Sequence, residues 1–240
     1  MSILDTDLYK FTVGNIVYRN YRNYNTVYRL FDRTNKLNWT PDFIERVKLG
    51  VDNYAKMEYS CDDHIFLRRL GISIDYSEYL RLVVLAKESV KIHDNSITVE
   101  GHWLDTVLWE VPLLSIISEA HYQHSISDQD YETLYVLKSQ ANKYDINFAE
   151  FGTRRRRSFE LQDLAISILH PVLTGTYNIY FGRKYNIPIV GTYGHELPMG
   201  ICGITGLENY ANTHVFLLSL LFKLRKLKCH INHCKNNSKI

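Results

Sequence analysis

A chain of 240 residues with 45% hydrophobic and 22% charged residues can bury one large core or two small ones. Its formal net charge of +2 gives no electrostatic case for nucleic acid or another polyanion, and 18 tyrosines argue against disorder. The start, Met1-Ser2-Ile3-Leu4-Asp5-Thr6-Asp7, lacks the basic region and apolar core of a secretory signal, and the longest apolar run, Val215–Phe222, is far too short to cross a bilayer.

In chain order, Asp5 or Thr6 is placed to cap a first helix carrying Leu8, Phe11, Thr12 and Ile16. Tyr9 and Lys10 lie on that helix, where residue type alone makes them packing or surface positions. Val27–Phe31 reads as a strand. Thr40-Pro41 starts a second helix, with Thr at the cap, Pro in the first turn, and Phe43, Val47, Val51 and Tyr54 as the apolar stripe. Shorter helices are expected between Asp62 and Ala86. Val90–His93 and Ile97–Glu100 flank Asp94-Asn95-Ser96 as a hairpin. His64, His93 and His102 have no ligand spacing and are read as structural. After the apolar run Leu104–Leu108, Val111-Pro112 opens a helix through Leu113, Leu114, Ile117 and Ala120, with Pro112 where a first turn tolerates it. Asp128–Tyr144 is a further helix, with Tyr131, Leu134, Tyr135 and Leu137 as apolar positions.

The chemistry-bearing residues are concentrated after Ile146. Three apolar, strand-like runs end in Gly-Thr, at Gly152-Thr153, Gly175-Thr176 and Gly191-Thr192, as buried parallel strands do on entering loops. The first pair is followed by Arg154-Arg155-Arg156-Arg157-Ser158, the second by Tyr177-Asn178, the third by Tyr193-Gly194-His195-Glu196. Ser158 is placed to cap a helix with Leu161, Leu164, Ala165, Ile168 and Leu169 on one face and Glu160 in its positive first turn. Alternating strand and helix predict a parallel sheet with its loops on one rim. Threonine hydroxyls, glycine amides, arginines and a histidine gathered there suit a ligand with more than one phosphate, because arginine binds phosphate oxygens in pairs and does not titrate away. Four consecutive arginines can also be a solvated face, a nuclear import signal or a nucleic-acid patch. Their place between a strand and a capped helix favours phosphate. A lone histidine is more often structural than catalytic, but His195 follows a tight loop and has a carboxylate, Glu196, beside it.

Beyond Glu208 no acidic residue occurs, while Lys223, Arg225, Lys226, Lys228, Lys235 and Lys239 accumulate. Cys229, His230, His233 and Cys234 lie close together but lack the second half of a zinc pattern, so no metal site is expected. A basic membrane-surface helix over Val215–Lys228 has no further support. With Cys61 and Cys202, the cysteines form no evident disulfide framework, which points to a cytoplasmic protein with reduced thiols and no membrane contact.

Phe151–Ser158 and Gly191–Glu196 resemble the two signature motifs of nicotinate phosphoribosyltransferases. Leu4-Asp5-Thr6-Asp7-Leu8-Tyr9-Lys10 and Trp109-Glu110-Val111-Pro112-Leu113-Leu114 agree with the same family, giving four motifs in order from residue 4 to about residue 215. The resemblance implies an α/β protein: an α+β N-terminal domain over 1–123, the first part of a type II phosphoribosyltransferase-like α/β barrel over 124–214, and a divergent basic tail over 215–240. An eight-fold barrel takes ~250 residues. An incomplete barrel is therefore expected, as in a C-terminally truncated or frame-shifted gene product or an alternative gene model. The family's acidic strand end for the ribose and its metal, and its glycine-rich loop for the 5-phosphate, have no visible counterpart. An open half barrel exposes strand edges and apolar surface and calls for a partner chain.

The family reaction implied is the joining of nicotinate to phosphoribosyl pyrophosphate, giving nicotinate mononucleotide and pyrophosphate with coupled ATP hydrolysis, the first step of NAD synthesis from nicotinate. ATP and Mg2+ are the implied cofactors and a homodimer the implied assembly. By motif position, Arg154, Arg155 and Arg156 match the family's arginines, with Arg157 extra or variable. Thr153, Ser158, Thr176, Asn178 and Thr192 fall at ligand-contact positions. Tyr9, with Lys10, would reach the nicotinate ring in a site completed across the dimer. His195 matches the histidine phosphorylated by ATP, and Glu196 is the carboxylate that would orient it. The alternatives are a catalytically dead remnant that binds ligand or only dimerises, a nicotinamide-using relative, and, last, a nucleic-acid-binding protein. The Asp-Leu-Tyr-Lys and Gly-Thr-Tyr-Gly-His-Glu forms favour nicotinate over nicotinamide.

Overall fold

A computed structural model describes residues 2–32, 37–191 and 194–206. Its larger core is built around helix α1 (Leu8–Asn20), which buries Phe11, Val13, Ile16 and Val17 together with Gly14 and Asn15. A helix buried on most of its circumference is a central helix, not a surface one. Neither Asp5 nor Thr6 caps it. Asp7 holds the N-cap position without a side-chain cap bond, because Asp5 is drawn away to a buried arginine.

Strand β1 (Asn25–Leu30) precedes α2 (Pro41–Ala55), which begins as expected: the Thr40 side chain accepts a hydrogen bond from the Phe43 N–H at 3.2 Å, and Phe43, Val47, Val51 and Tyr54 are buried. Helices α3 (Cys61–Arg69) and α4 (Ile74–Leu82) are capped by Ser60 and Ser73. The hairpin of β2 (Val90–Ile92) and β3 (Ile97–His102) is antiparallel, and β1 pairs with the free edge of β3, giving the order β1-β3-β2. A short helix, α5 (Trp103–Thr106), leads into α6 (Glu110–Tyr122), which packs on α2 and buries Val111, Leu113, Ile117 and Ala120 in the larger core.

After α7 (Asp128–Lys143), strand β4 (Phe148–Glu150) runs parallel to β5 (Leu173–Thr176), and α8 (Phe159–Leu169) crosses between them. Thr176 is bridged in parallel to Ile189, beyond α9 (Ile179–Lys184). The first two Gly-Thr runs therefore form parallel strands, while the third contributes one bridge among the described residues. Helix α10 (Glu196–Thr205) returns Leu197 and Ile201 to the larger core. The architecture is a mixed α/β fold: an N-terminal part with a three-stranded antiparallel sheet, followed by the start of a parallel α/β part.

Two helix faces differ from expectation. On α7 only Ala141 is buried and Leu134 half-buried, while Tyr131, Tyr135 and Leu137 are exposed, because α8 covers only a narrow stripe of it. On α8 the buried residues are Gln162, Ile166, Ile168 and Leu169, with Leu161, Leu164 and Ala165 half-buried. The face is turned toward Gln162 because that amide is held in a polar network beneath the arginine loop. No helix among the described residues is long and apolar enough to cross a membrane. The basic stretch 215–240, with Cys229, His230, His233 and Cys234, lies outside the described residues.

Candidate active site at the rim of the parallel strands

The loops after β4 and β5 meet at one rim, and the segment leading into α1 is stitched across it. The Leu8 N–H donates to the Tyr177 carbonyl at 3.2 Å, and the N–H groups of Ile179 and Tyr180 donate to the carbonyls of Thr6 and Leu4, each at 3.0 Å. Two stretches of sequence far apart in the chain thus become neighbours. Glu150, the last residue of β4, organises the rim beneath them. One of its oxygens accepts from the Gly152 N–H and from the Gln162 amide at 2.9 Å; the other accepts from the Thr176 hydroxyl at 2.6 Å.

Among the arginines, Arg156 is internal, its side chain only 3% exposed. Its guanidinium grips the Asp5 carboxylate through two 2.8 Å bonds and donates to Glu119 at 2.5 Å and Gln162 at 3.2 Å. Paired geometry of this kind is the strong form of the interaction. The Asn178 amide donates to Asp5 at 2.7 Å and to the Thr153 hydroxyl at 3.0 Å, while its carbonyl oxygen caps α9 by accepting from the Phe181 N–H. Thr176 accepts from the Asn178 N–H at 3.1 Å. The Ser158 hydroxyl accepts from the Leu161 N–H at 3.1 Å and so caps α8. Thr153, Arg156, Ser158, Thr176 and Asn178 are therefore bound within the framework under the rim. Arg154 and Arg155 are the arginines of that motif left facing outward. The Arg154 side chain is 38% exposed, with Nε 3.5 Å from the Asp7 carboxylate, and Arg155 is exposed. Arg157 is also exposed, with its guanidinium 5.6 Å from the Tyr122 ring centroid. The backbone explains the division: residues 153–155 form a tight helical turn, and Arg156 leaves it extended, on the inner side.

A second charged cluster lies beside the first. Lys10 is fully buried, and its ammonium contacts both Glu110 and Glu196; the Tyr28 hydroxyl donates to the same Glu196 oxygen at 3.1 Å. Lys10 is thus not open to a ligand ring. Burial, together with the Glu110 charge, pushes the Glu196 carboxyl up to about 7 against the pull of Lys10. Burial likewise pushes Asp7 up to about 6 despite Arg154 beside it. His195 is exposed at the N-cap position of α10. Glu196 begins that helix and directs its carboxylate into the Lys10 cluster instead of along the imidazole, because a helix start turns successive side chains apart. Tyr9 is 7% exposed and lies under Gly194, where an added Cβ would come 2.5 Å from the Tyr9 ring. Thr192 lies outside the described residues. Phe151, exposed, rests against Tyr177 with ring centroids 3.7 Å apart, and forms an aromatic wall at the rim.

Asp5, Asp7 and Glu110 sit inside the stretches that carry the family resemblance, yet residue type did not reveal their roles. Tyr28, Glu119, Glu150 and Gln162 carried no local signal at all; each matters through a partner distant in sequence, except for the short-range contacts of Glu150 and Gln162 with the arginine loop.

Known proteins resemble this chain along most of its length. A model of the nicotinate phosphoribosyltransferase N-terminal domain matches residues 4–118, and a model of the nicotinate phosphoribosyltransferase family matches residues 146–232. The chain is 32% identical to a nicotinate phosphoribosyltransferase of Methanococcoides burtonii over 90% of its own length and 60% of that relative. It is 30% identical to one of Saccharomyces cerevisiae over 89% of its own length and 56% of that relative. A crystal structure of nicotinate phosphoribosyltransferase from Porphyromonas gingivalis matches with a TM-score of 0.81 at 28% identity, over 88% of this chain and 58% of that one. The chain thus spans at most 60% of the length of these relatives.

Proposed function

The chain belongs to the nicotinate phosphoribosyltransferase family, and we propose that its rim binds phosphoribosyl pyrophosphate and nicotinate and, with ATP, forms nicotinate mononucleotide and pyrophosphate. The observation that carries this is the pair of outward arginines, Arg154 and Arg155, on the loop after β4, with Arg154 beside Asp7 of the same short segment, Asp7–Lys10, on which the neighbours of the exposed His195 rest. As pyrophosphate leaves, the ribose carbon gains positive charge and the leaving oxygens negative charge. Guanidinium groups fixed beside those oxygens lower the barrier without reorganising during the reaction. Arg156, Thr153, Thr176 and Asn178 serve by holding the loop that presents Arg154 and Arg155.

The Phe151–Tyr177 pair offers an aromatic surface to a pyridine ring, and Tyr9 supports the Gly194 backbone. The exposed His195 imidazole takes the terminal phosphoryl group of ATP, releasing ADP. No group of three or more His, Cys, Asp or Glu side chains able to hold a metal ion occurs among the described residues. Magnesium therefore enters this reading with the phosphates whose charge it neutralises. A cytoplasmic homodimer, divided within each chain near residue 123, completes the proposal.

The test is an assay of the purified chain with nicotinate, phosphoribosyl pyrophosphate and magnesium ATP, beside His195→Ala. Nicotinate mononucleotide is expected, with turnover lost or uncoupled from ATP in the variant. Phosphoribosyl pyrophosphate binding without turnover would identify a binding remnant, and neither binding nor turnover would overturn the assignment.

A further inference from the structure

The charged cluster under α10 does not face a ligand, yet it lies against the histidine on which the proposed function depends. The Lys10 ammonium meets Oε2 of Glu110 at the start of α6 and Oε2 of Glu196 at the start of α10. It lies 4.9 Å from the Tyr9 ring centroid and 5.4 Å from that of Tyr28. On the other side of His195, the Gly194 backbone rests directly on the Tyr9 ring, with no room for a side chain between. The residues flanking His195 are therefore anchored one on Tyr9 and the other on Lys10, consecutive residues of α1, while the imidazole between them stays exposed. Asp7, at the start of the same helix, stands 3.5 Å from Arg154 Nε. One short segment, Asp7–Lys10, touches both the guanidinium and the histidine loop.

Stability alone is a poor reason for this cluster. Burying an ammonium and two carboxylates carries a large desolvation cost, and well-packed apolar residues of similar volume do as well or better. One Glu196 oxygen is also buried with no hydrogen-bond partner, a further cost. What a directional hydrogen bond from Lys10 to Glu196 supplies, and a hydrophobic contact does not, is a single register.

We propose that Lys10 is a positioning residue for His195: through the hydrogen bond its ammonium donates to Glu196 it fixes the start of α10, and with it the imidazole, relative to Arg154. The inference rests on His195 as the phosphate-accepting group. The ionisable groups facing Glu196 are Lys10 and Tyr9 from α1, Tyr28 from β1 and Glu110 from α6.

The test uses the full chain and the variants Glu196→Gln, Lys10→Met and their combination. Two readouts are taken: the proton–carbon NMR resonances of the His195 imidazole, and the rate of phosphate transfer from radiolabelled ATP to His195. Glu196→Gln preserves shape and is expected to shift the His195 resonances. It should also slow transfer at saturating ATP by ~10–100-fold, the scale on which small misplacements act, with the KM for ATP unchanged within about twofold. The double variant is expected to lose no more than the worse single one, because both cut the same link. Unchanged His195 resonances and rate in folded Glu196→Gln would overturn the proposal, as would full additivity of the two substitutions. If Lys10→Met does not fold, Glu196→Gln decides alone. If the wild-type chain transfers no phosphate, the functional reading fails, and the NMR comparison still decides the positioning role.

Discussion

Arg154 and Arg156 stand two residues apart in a run of four arginines, and the fold gives them opposite surroundings. Arg156→Ala removes the partner of the buried Asp5 carboxylate and of the half-buried Glu119, and is expected to destabilise the chain by about 3–5 kcal/mol, the cost of breaking a buried pair from one side. A urea titration at constant slope measures it, and a loss under 1 kcal/mol would show that water already reaches the pair. Arg154→Ala, by contrast, takes away a half-exposed side chain and is expected to change stability by no more than ~0.5 kcal/mol. Its expected effect is on phosphoribosyl pyrophosphate binding, weakened about tenfold or more by the loss of a charge-assisted contact of ~1.5–3 kcal/mol, as calorimetry would read. Nothing local in the sequence separates the two arginines. The separation comes from Asp5, 151 positions away, a partner visible only once residues 4–8 are seen lying across the rim.

Elements were legible where the signal is local. The Thr40-Pro41 start of α2 and its stripe of Phe43, Val47, Val51 and Tyr54 needed only a cap and a period, and both are present. The Ser158 cap of α8 is another such case. Ser158→Ala is expected to cost about 1 kcal/mol, most of it restored in Ser158→Asn, because the side chain acts by accepting the Leu161 N–H. If Ser158→Asn restored stability but not ligand binding, the hydroxyl would have a second role at the ligand. The faces of α7 and α8 were less legible, and for a physical reason. Periodicity tells which residues share a stripe, not whether anything covers it. Tyr131, Tyr135 and Leu137 share one side of α7 and lie open, while Gln162, polar by type, is buried by its bonds to Glu150, Thr153 and Arg156. Tyr135→Lys is accordingly expected to leave the urea midpoint within ~0.5 kcal/mol of the wild type; a larger loss would place that ring in a packed contact.

At the scale of the whole molecule, two apolar cores are accompanied by three linked sets of charged groups. The larger core takes in Ile179, Leu197 and Ile201 from the second part of the chain, and the smaller gathers Ala141, Ile166, Leu169, Val172 and Phe181. The charged sets are Asp5–Arg156–Glu119, Asp7 with the half-exposed Arg154, and Lys10–Glu110–Glu196. Burial raises Glu119, Asp7 and Glu196; Asp7 reaches about 6 and Glu196 about 7. In the unfolded chain all three titrate near ~4. Between those values the folded state holds protons that the unfolded state has released, so folding stability falls as pH rises. The contribution is fully present below ~4 and is lost as pH passes first about 6, then about 7. Urea unfolding from pH 5 to pH 8 is therefore expected to show a midpoint that declines with pH. In Glu196→Gln, which carries no titrating group at that position, the decline should end near the Asp7 value. A midpoint that rose across this window would mean that the Asp7 and Glu196 carboxyls are ionised and fully paired on folding, with Lys10 and Arg154 outweighing their burial.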